Sequence, residues 1–272
     1  MIHDSETTND TAKLIVEGVG KVFTLADGQR INAVSDISFS VQRNEYCILL
    51  GPSGCGKSTV LRMIAGLEMP SSGRMLLDEA LIAGPDRHRG MVFQNYTSFD
   101  WLTVEKNVEY GMKCNGVPAK ERRELAADFI DLVRLTKFKE AYPSELSGGM
   151  KQRVAIARTL ANKPSVLLMD EPFGALDAET RWNMQELMIS ILESTDTTVV
   201  MVTHDIEEAL YLGDRIVFFS SHPGTILEDG PVAFKQGRRM GAKEEALEID
   251  GYVEAERHIM ALMRSQRPDI ND

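Results

Sequence analysis

The sequence predicts an α/β protein: a parallel β-sheet, preceded by N-terminal β-strands and interrupted by a helical segment. Three observations predict it. The apolar run Tyr46 to Leu50 feeds a glycine-rich loop and then a helical pattern, as in a strand–loop–helix unit. After Pro164 come three further buried-strand runs, SVLLMD, TTVVMVT and RIVFF, with a helix-like stretch around Arg181 to Leu192 between the first two. Finally, 272 residues exceed the usual single domain but fall short of two, which suits one large unit with a subdomain or insertion.

Taken in order, the chain opens on MIHDSETTND, acidic and polar where a secretory signal is basic and then apolar, so residues 1–12 read as a disordered tail. Residues 14–23 and 34–41 carry partly alternating apolar stretches separated by Asp27-Gly28, the pattern of strands at a sheet edge. The buried strand 46–50 and its loop lead into a helix containing VLRMIAGL. Residues of about 95 to 160 turn helical: Pro118 stands near a helix start, with Leu125, Phe129, Leu132 and Val133 on one face. The main unit spans 13–240. In the remaining 241–272, Tyr252, Ala255, Ile259, Leu262 and Met263 recur at helical spacing, which predicts a helical extension packed on the body.

Charge and composition narrow the function. Thirty Lys and Arg against 41 Asp and Glu give −11, which argues against a broadly basic binder of nucleic acid or membrane surfaces. The densest apolar stretches, Val166 to Met169 and Val199 to Val202, are strand length, far from a membrane span. Cys47, Cys55 and Cys114 have neither CxxC spacing nor nearby histidine pairs, so reduced thiols in a cytosolic protein are expected.

In an acidic chain, anionic ligands must be met by local chemistry. Gly51-Pro52-Ser53-Gly54-Cys55-Gly56-Lys57-Ser58, followed by Thr59, satisfies GxxxxGK[ST] between an apolar strand and a helix. Its glycines let backbone N–H groups converge on phosphate oxygens, the helix aims its positive end at them, Lys57 reaches the β and γ phosphates, and Ser58 can hold Mg²⁺. Cys55 reads as a small filler. Downstream, the strand Val166 to Met169 ends in Asp170 and Glu171. A carboxylate at a strand's C-terminal end beside the phosphate loop suits a Mg²⁺ shell, which assigns Asp170, and leaves Glu171 to polarise a water.

Between these motifs stands Leu146-Ser147-Gly148-Gly149-Met150-Lys151-Gln152-Arg153. With it, the sequence resembles the ATP-binding-cassette (ABC) family over about residues 14 to 230, in which LSGG followed by a helix is the signature. The resemblance implies a P-loop NTPase core with an N-terminal antiparallel β subdomain and an inserted α-helical subdomain. It also implies an ATPase that binds two ATP between head-to-tail copies, Lys57 of one copy acting with Ser147, Gly148 and Gly149 of the other. Gln94 matches the glutamine that reaches Mg²⁺ and the attacking water, Asp177 the acidic loop that crosses the dimer interface, and His204 the switch histidine at the γ phosphate. Phe23 matches the ring that stacks on adenine.

The same resemblance implies partners: a homodimer of ATPase subunits on the cytoplasmic face of the plasma membrane, below integral membrane permease subunits fed by an external solute-binding protein. The segment after Gln94, with Tyr96, Phe99 and Trp101, stands where such cassettes receive a permease helix, which predicts partial exposure of Tyr96, Phe99 or Trp101 and a place in the core for some of these rings. GPDRHRGMVFQ, FDWLTVEKNV and Ser221 to Ile226 look most like the nitrate, sulfonate and taurine importer cassettes, with Asp100 and His222 as departures. Asn44 replaces a glycine usual there and tolerates the same left-handed turn. The alternative is a soluble, non-transport cassette acting on nucleic acid or an assembly scaffold; those generally show two cassettes, a long coiled coil or a basic face.

Overall fold

The computed structural model describes residues 12–95, 97–195, 197–240 and 242–266. Its centre is a six-stranded sheet. The two N-terminal strands, β1 (Ala12–Thr24) and β2 (Arg30–Gln42), belong to a separate sheet; β3 (Tyr46–Leu50) is the first of the central strands and is followed by helix α1 (Lys57–Ile64). Next come β4 (Ser72–Leu77), β5 (Ala80–Leu81) and β6 (Arg89–Val92), then helices α2 (Val104–Cys114), α3 (Ala119–Leu132) and α4 (Gly148–Leu160). The chain then runs β7 (Val166–Asp170), α5 (Ala178–Ser194), β8 (Thr198–Thr203), α6 (Ile206–Leu212), β9 (Arg215–Phe219) and β10 (Ile226–Pro231), ending in α7 (Lys243–Leu247) and α8 (Tyr252–Ser265).

The central order is β10-β9-β3-β8-β7-β6, all neighbours parallel except β10 against β9. Every residue of β3, β7 and β8 is buried, which is why these strands are unbroken apolar runs. Alternate side chains serve two cores. Tyr46, Ile48 and Leu50 join the helical face, whereas Cys47 and Leu49 join α1 and the antiparallel sheet β2-β1-β4-β5. Asn44, at φ 59°, makes the left-handed turn into β3.

Three details differ from the sequence reading. Ala12 is already in β1, opposite Gln42, because the strand continues past its apolar stretch; the other tail residues lie outside the described ones. On α3 the buried stripe is Ala126 and Ile130, continued by Val133, with Leu125, Phe129 and Leu132 only half-covered at its flanks. Choosing large side chains shifts the face by a residue; close helix packing takes the small Ala126 instead. The strands β4 and β10 carry too little apolar periodicity to be seen, and are ordered by pairing with β1 and β9. The C-terminal helices join the helical-face core through Ala246, Tyr252 and Ile259.

Fully buried Asn107 on α2 organises the loop that precedes it. Its Oδ1 accepts from the Phe99 N–H at 2.8 Å, and its Nδ2 donates to the carbonyls of Phe99, Leu102 and Thr103 at 3.0–3.1 Å. Asn107→Ala empties a fully buried site and removes the side-chain partner of the Phe99 N–H and the Leu102 carbonyl, and is expected to cost about 3 kcal/mol, read by urea unfolding. A loss below about 1 kcal/mol means that the loop holds itself.

Candidate functional site

Four parallel strands end side by side at one edge of the sheet. Leu50 is in register with Thr203, Val202 with Asp170 and Met169 with Val92, so the segments after β3, β8, β7 and β6 converge where open α/β sheets place their ligands. Those segments carry Lys57 and Ser58, His204, Glu171, and Gln94.

The phosphate loop is held from behind. Gly56 takes φ 98°, and a Cβ there would stand 2.4 Å from Val34 Cγ1 and 2.8 Å from the Ala33 carbonyl, so β2 presses directly on the loop. Cys55 is fully buried, as a filler; burial raises its thiol pKa, and Lys57 opposes the shift, leaving little thiolate for modification. Ser53 and Gly54 face solvent at the tip. The buried Lys57 ammonium donates to the carbonyls of Gly51 at 2.7 Å and Pro52 at 2.8 Å. Pro52 in the loop and Thr59 in the first turn of α1 are half-buried.

Ser58 Oγ donates to Asp170 Oδ1 at 2.6 Å, joining the phosphate loop to the end of β7. This pair of hard oxygen donors suits Mg²⁺, which takes one or two protein oxygens and completes its shell with phosphates and water. Among the described residues no group of three or more His, Cys, Asp or Glu could hold a metal ion.

Next to Asp170, Glu171 has φ 45° and its N–H donates to the Val202 carbonyl at 3.0 Å, which turns the side chain out of the sheet. Its Oε1 lies 3.2 Å from His204 Nδ1 and its Oε2 accepts from Gln94 Nε2 at 3.2 Å. The structure thus gathers Glu171, His204 and Gln94 into one cluster open to solvent, and ties Gln94 to Glu171 rather than to the Ser58–Asp170 pair.

Ser147 caps α4, its exposed Oγ accepting from the Met150 N–H at 3.4 Å. Gly148 is half-exposed; at buried Gly149 a Cβ would lie 2.4 Å from Thr180 Cγ2, so the start of α4 packs against the start of α5. There Asp177 caps α5, accepting from the Thr180 N–H at 3.0 Å, a bond that lowers its carboxyl pKa. Among the described residues no hydrogen bond joins Ser147, Gly148 or Gly149 to Lys57, Ser58, Asp170 or Glu171. Phe23 is half-buried on β1 opposite Ile31, with Lys21 Nζ 4.9 Å from its ring centre.

Two links escape the sequence. Arg158 on α4 donates to Thr97 O at 2.7 Å and Thr97 Oγ1 at 2.6 Å, fastening the segment after Gln94 to the helix that Ser147 caps. In that segment Trp101 is 73% exposed and Phe99 half-buried beside it, ring centres 5.3 Å apart; Tyr96 lies outside the described residues. The turn at Gly224 lies against the phosphate loop: its N–H donates to Ala33 O at 3.1 Å, and a Cβ there would meet the Cys55 carbonyl at 2.0 Å. Gly224→Ala is therefore expected to push the loop and weaken nucleotide binding at least about tenfold, read by calorimetry, with a lowered Tm. Unchanged affinity would show that the turn yields instead.

The comparisons agree with this geometry. The ABC transporter family matches residues 34–174. The chain is 50% identical over 216 residues to an uncharacterized ABC transporter ATP-binding protein of Methanocaldococcus jannaschii (79% of this chain, 80% of the relative). It is 49% identical over 213 residues to the nitrate import ATP-binding protein of Synechocystis (78% and 80%), and 43% over 221 residues to the taurine import ATP-binding protein of Roseobacter denitrificans (81% and 82%). Among solved structures it resembles an ATP-binding cassette in a dimeric post-hydrolysis state bound to ADP and Pi, with TM-score 0.71, 32% identity, and coverage of 80% of this chain and 98% of that one. Phosphate loop, acid pair and signature on this scaffold place the chain in the ABC transporter family, as one of its ATP-binding cassettes.

Proposed function

We propose that this cassette is the ATP-hydrolysing subunit of an importer for small anions of the nitrate and sulfonate type, working as a homodimer under separate permease subunits. The observation that carries the reading is the division of the site. The Ser58–Asp170 hydrogen bond joins the loop of Lys57 to the acid pair Asp170-Glu171, while Ser147 presents a capped helix N-terminus to solvent with no hydrogen bond to those residues among the described ones. A helix N-terminus without an anion in its own chain is complementary to the γ phosphate bound by another copy. Two copies head to tail complete two sites, with Asp177 entering across the seam.

In such a site the loop amides and Lys57 bind the triphosphate, and Phe23 stacks on the adenine. Ser58 and Asp170, with Gln94 at the edge of the shell, would hold Mg²⁺, which when bound neutralises phosphate charge. Glu171 accepts a proton from the water that attacks the γ phosphorus, the bond to the β–γ bridging oxygen breaks, and ADP and phosphate leave. His204 orients Glu171 and meets the γ phosphate. Loss of that phosphate removes the contact shared with Ser147, and the copies part.

Coupling to a permease rests on Arg158, which fastens the Gln94 segment to α4, and on exposed Trp101 beside it. No helix among the described residues is long and apolar enough to cross a membrane. In this reading the cassette sits at the cytoplasmic face beneath separate spanning subunits, with an external binding protein delivering solute. The similarity to nitrate and taurine import proteins supports the class of cargo.

The reading is tested with Glu171→Gln, which traps ATP. With Mg·ATP it should run as a dimer in light scattering, and adding Ser147→Phe should return it to monomer. A monomer throughout sinks the shared site. Co-expression with the permease subunits should then co-purify the cassette with membranes and give ATP-dependent nitrate or taurine uptake.

A further inference from the structure

The loop assigned to the dimer seam and the turn that carries His204 are joined by one guanidinium. Arg181, in the first turns of α5, donates from Nη2 to the Leu176 carbonyl at 3.2 Å, gripping the residue before Asp177. From Nη1 it reaches Asp205 Oδ2 at 3.4 Å, the residue after His204. Glu208, buried at the start of α6, ties in the other side of that histidine: its Oε2 accepts from Thr203 Oγ1 at 2.7 Å and its Oε1 from Gln185 Nε2 of α5 at 3.2 Å. Thr203 Oγ1 in turn accepts from the Asp205 N–H at 3.0 Å, and Asp205 Oδ1 from the Glu208 N–H at 3.1 Å. Both chain neighbours of His204 are thus fixed in a network whose far end is the Asp177 loop.

The joint is slack at one point. Arg181 Nε is buried without a hydrogen-bond partner and stands 4.0 Å from Glu208 Oε1. A small movement of the α5 start towards α6 would turn that gap into a charge-assisted hydrogen bond. The Glu208 carboxyl gains from it: burial raises its pKa, with Asp205 adding to the shift, while Thr203, Arg181 and Gln185 act against it.

We propose that Arg181 and Glu208 are positioning residues that convey the seating of Asp177 across the dimer seam to His204, so that hydrolysis waits for a closed dimer. Their side-chain hydrogen-bond partners are Leu176, Gln185, Thr203 and Asp205, not the residues of the phosphate loop. The proposal rests on the shared-site reading above.

Three variants test it: Arg181→Met, Glu208→Gln and the pair together. Each single change should lower kcat about tenfold with KM for ATP within about twofold, and the double variant should be no worse than Arg181→Met, the signature of one shared coupling. In the Glu171→Gln background, Arg181→Met should leave ATP-driven dimerisation intact. Arg181→Lys should fall between Met and wild type, since an ammonium still reaches one of the oxygens. Full activity in Arg181→Met, losses that multiply in the double variant, or loss of the dimer together with kcat each overturns the proposal. If Arg181→Met does not fold, Glu208→Gln, nearly isosteric, carries the same kcat and dimer readouts. A monomeric Glu171→Gln parent instead sinks the shared site itself, so the two failures are told apart.

Discussion

Replacing Glu171 by Gln is expected to lower kcat for ATP hydrolysis by about 10²–10⁴-fold while Kd for Mg·ATP stays within about threefold. The change is nearly isosteric. A glutamine can still face His204 Nδ1 and Gln94 Nε2, each 3.2 Å from the carboxylate, so the cluster keeps its shape and loses only its basicity. The backbone asks the same of both residues: φ 45° costs a side chain about 1–2 kcal/mol whichever of the two it is, and the N–H to Val202 O is untouched. Removing a negative charge beside the γ phosphate favours binding slightly, so affinity moves, if at all, towards tighter. Single-turnover hydrolysis with saturating Mg·ATP makes the measurement. A variant within about tenfold of wild type would move the base elsewhere, with His204 next in line, and His204→Ala measured in parallel decides between them.

Much of this site is legible in the sequence because its pieces are local. The unbroken apolar runs of β3, β7 and β8 are fully buried, the loop between β3 and α1 states its phosphate chemistry in eight successive residues, and Ser147 and Asp177 stand as capping residues immediately before their helices. What the pattern could not give is contact between distant segments. Nothing around Gly224 indicates that its backbone lies against Cys55, which follows from strand order with β9 beside β3, and nothing near Arg181 points to Asp205 or Glu208, which follows from α5 packing beside α6. Ala126 escaped for a different reason: a small side chain adds little to an apolar pattern even where close packing requires it. Trp101 is the converse: hydropathy alone ranks a tryptophan with the core, whereas its place after Gln94 in the family resemblance leads to the expectation of exposure that the structure shows.

Lys57→Ala should produce the opposite separation from Glu171→Gln: binding lost, rather than chemistry alone. The ammonium is buried within the loop and held by the Gly51 and Pro52 carbonyls at 2.7 and 2.8 Å, so it is already placed when the triphosphate arrives and little side-chain entropy remains to be lost. Charge-assisted hydrogen bonds to phosphate contribute about 1.5–3 kcal/mol each, and losing them should weaken Mg·ATP binding by about 10²–10³-fold. Without nucleotide the two loop carbonyls also lose their donor, a smaller cost of about 1–2 kcal/mol that lowers the Tm of the free protein. The two effects separate in a thermal melt. At nucleotide about one hundred times the wild-type Kd, ligand binding stabilises the wild type by about 2.7 kcal/mol, whereas a hundredfold weaker variant gains only about 0.4 kcal/mol. For a protein of this size the first corresponds to a rise of about 5–10 °C and the second to about 1–2 °C. Glu171→Gln should keep the full rise. If Lys57→Ala keeps it as well, the loop amides and the α1 N-terminus bind the phosphates without the lysine, and the lysine's place in the site is to hold the loop.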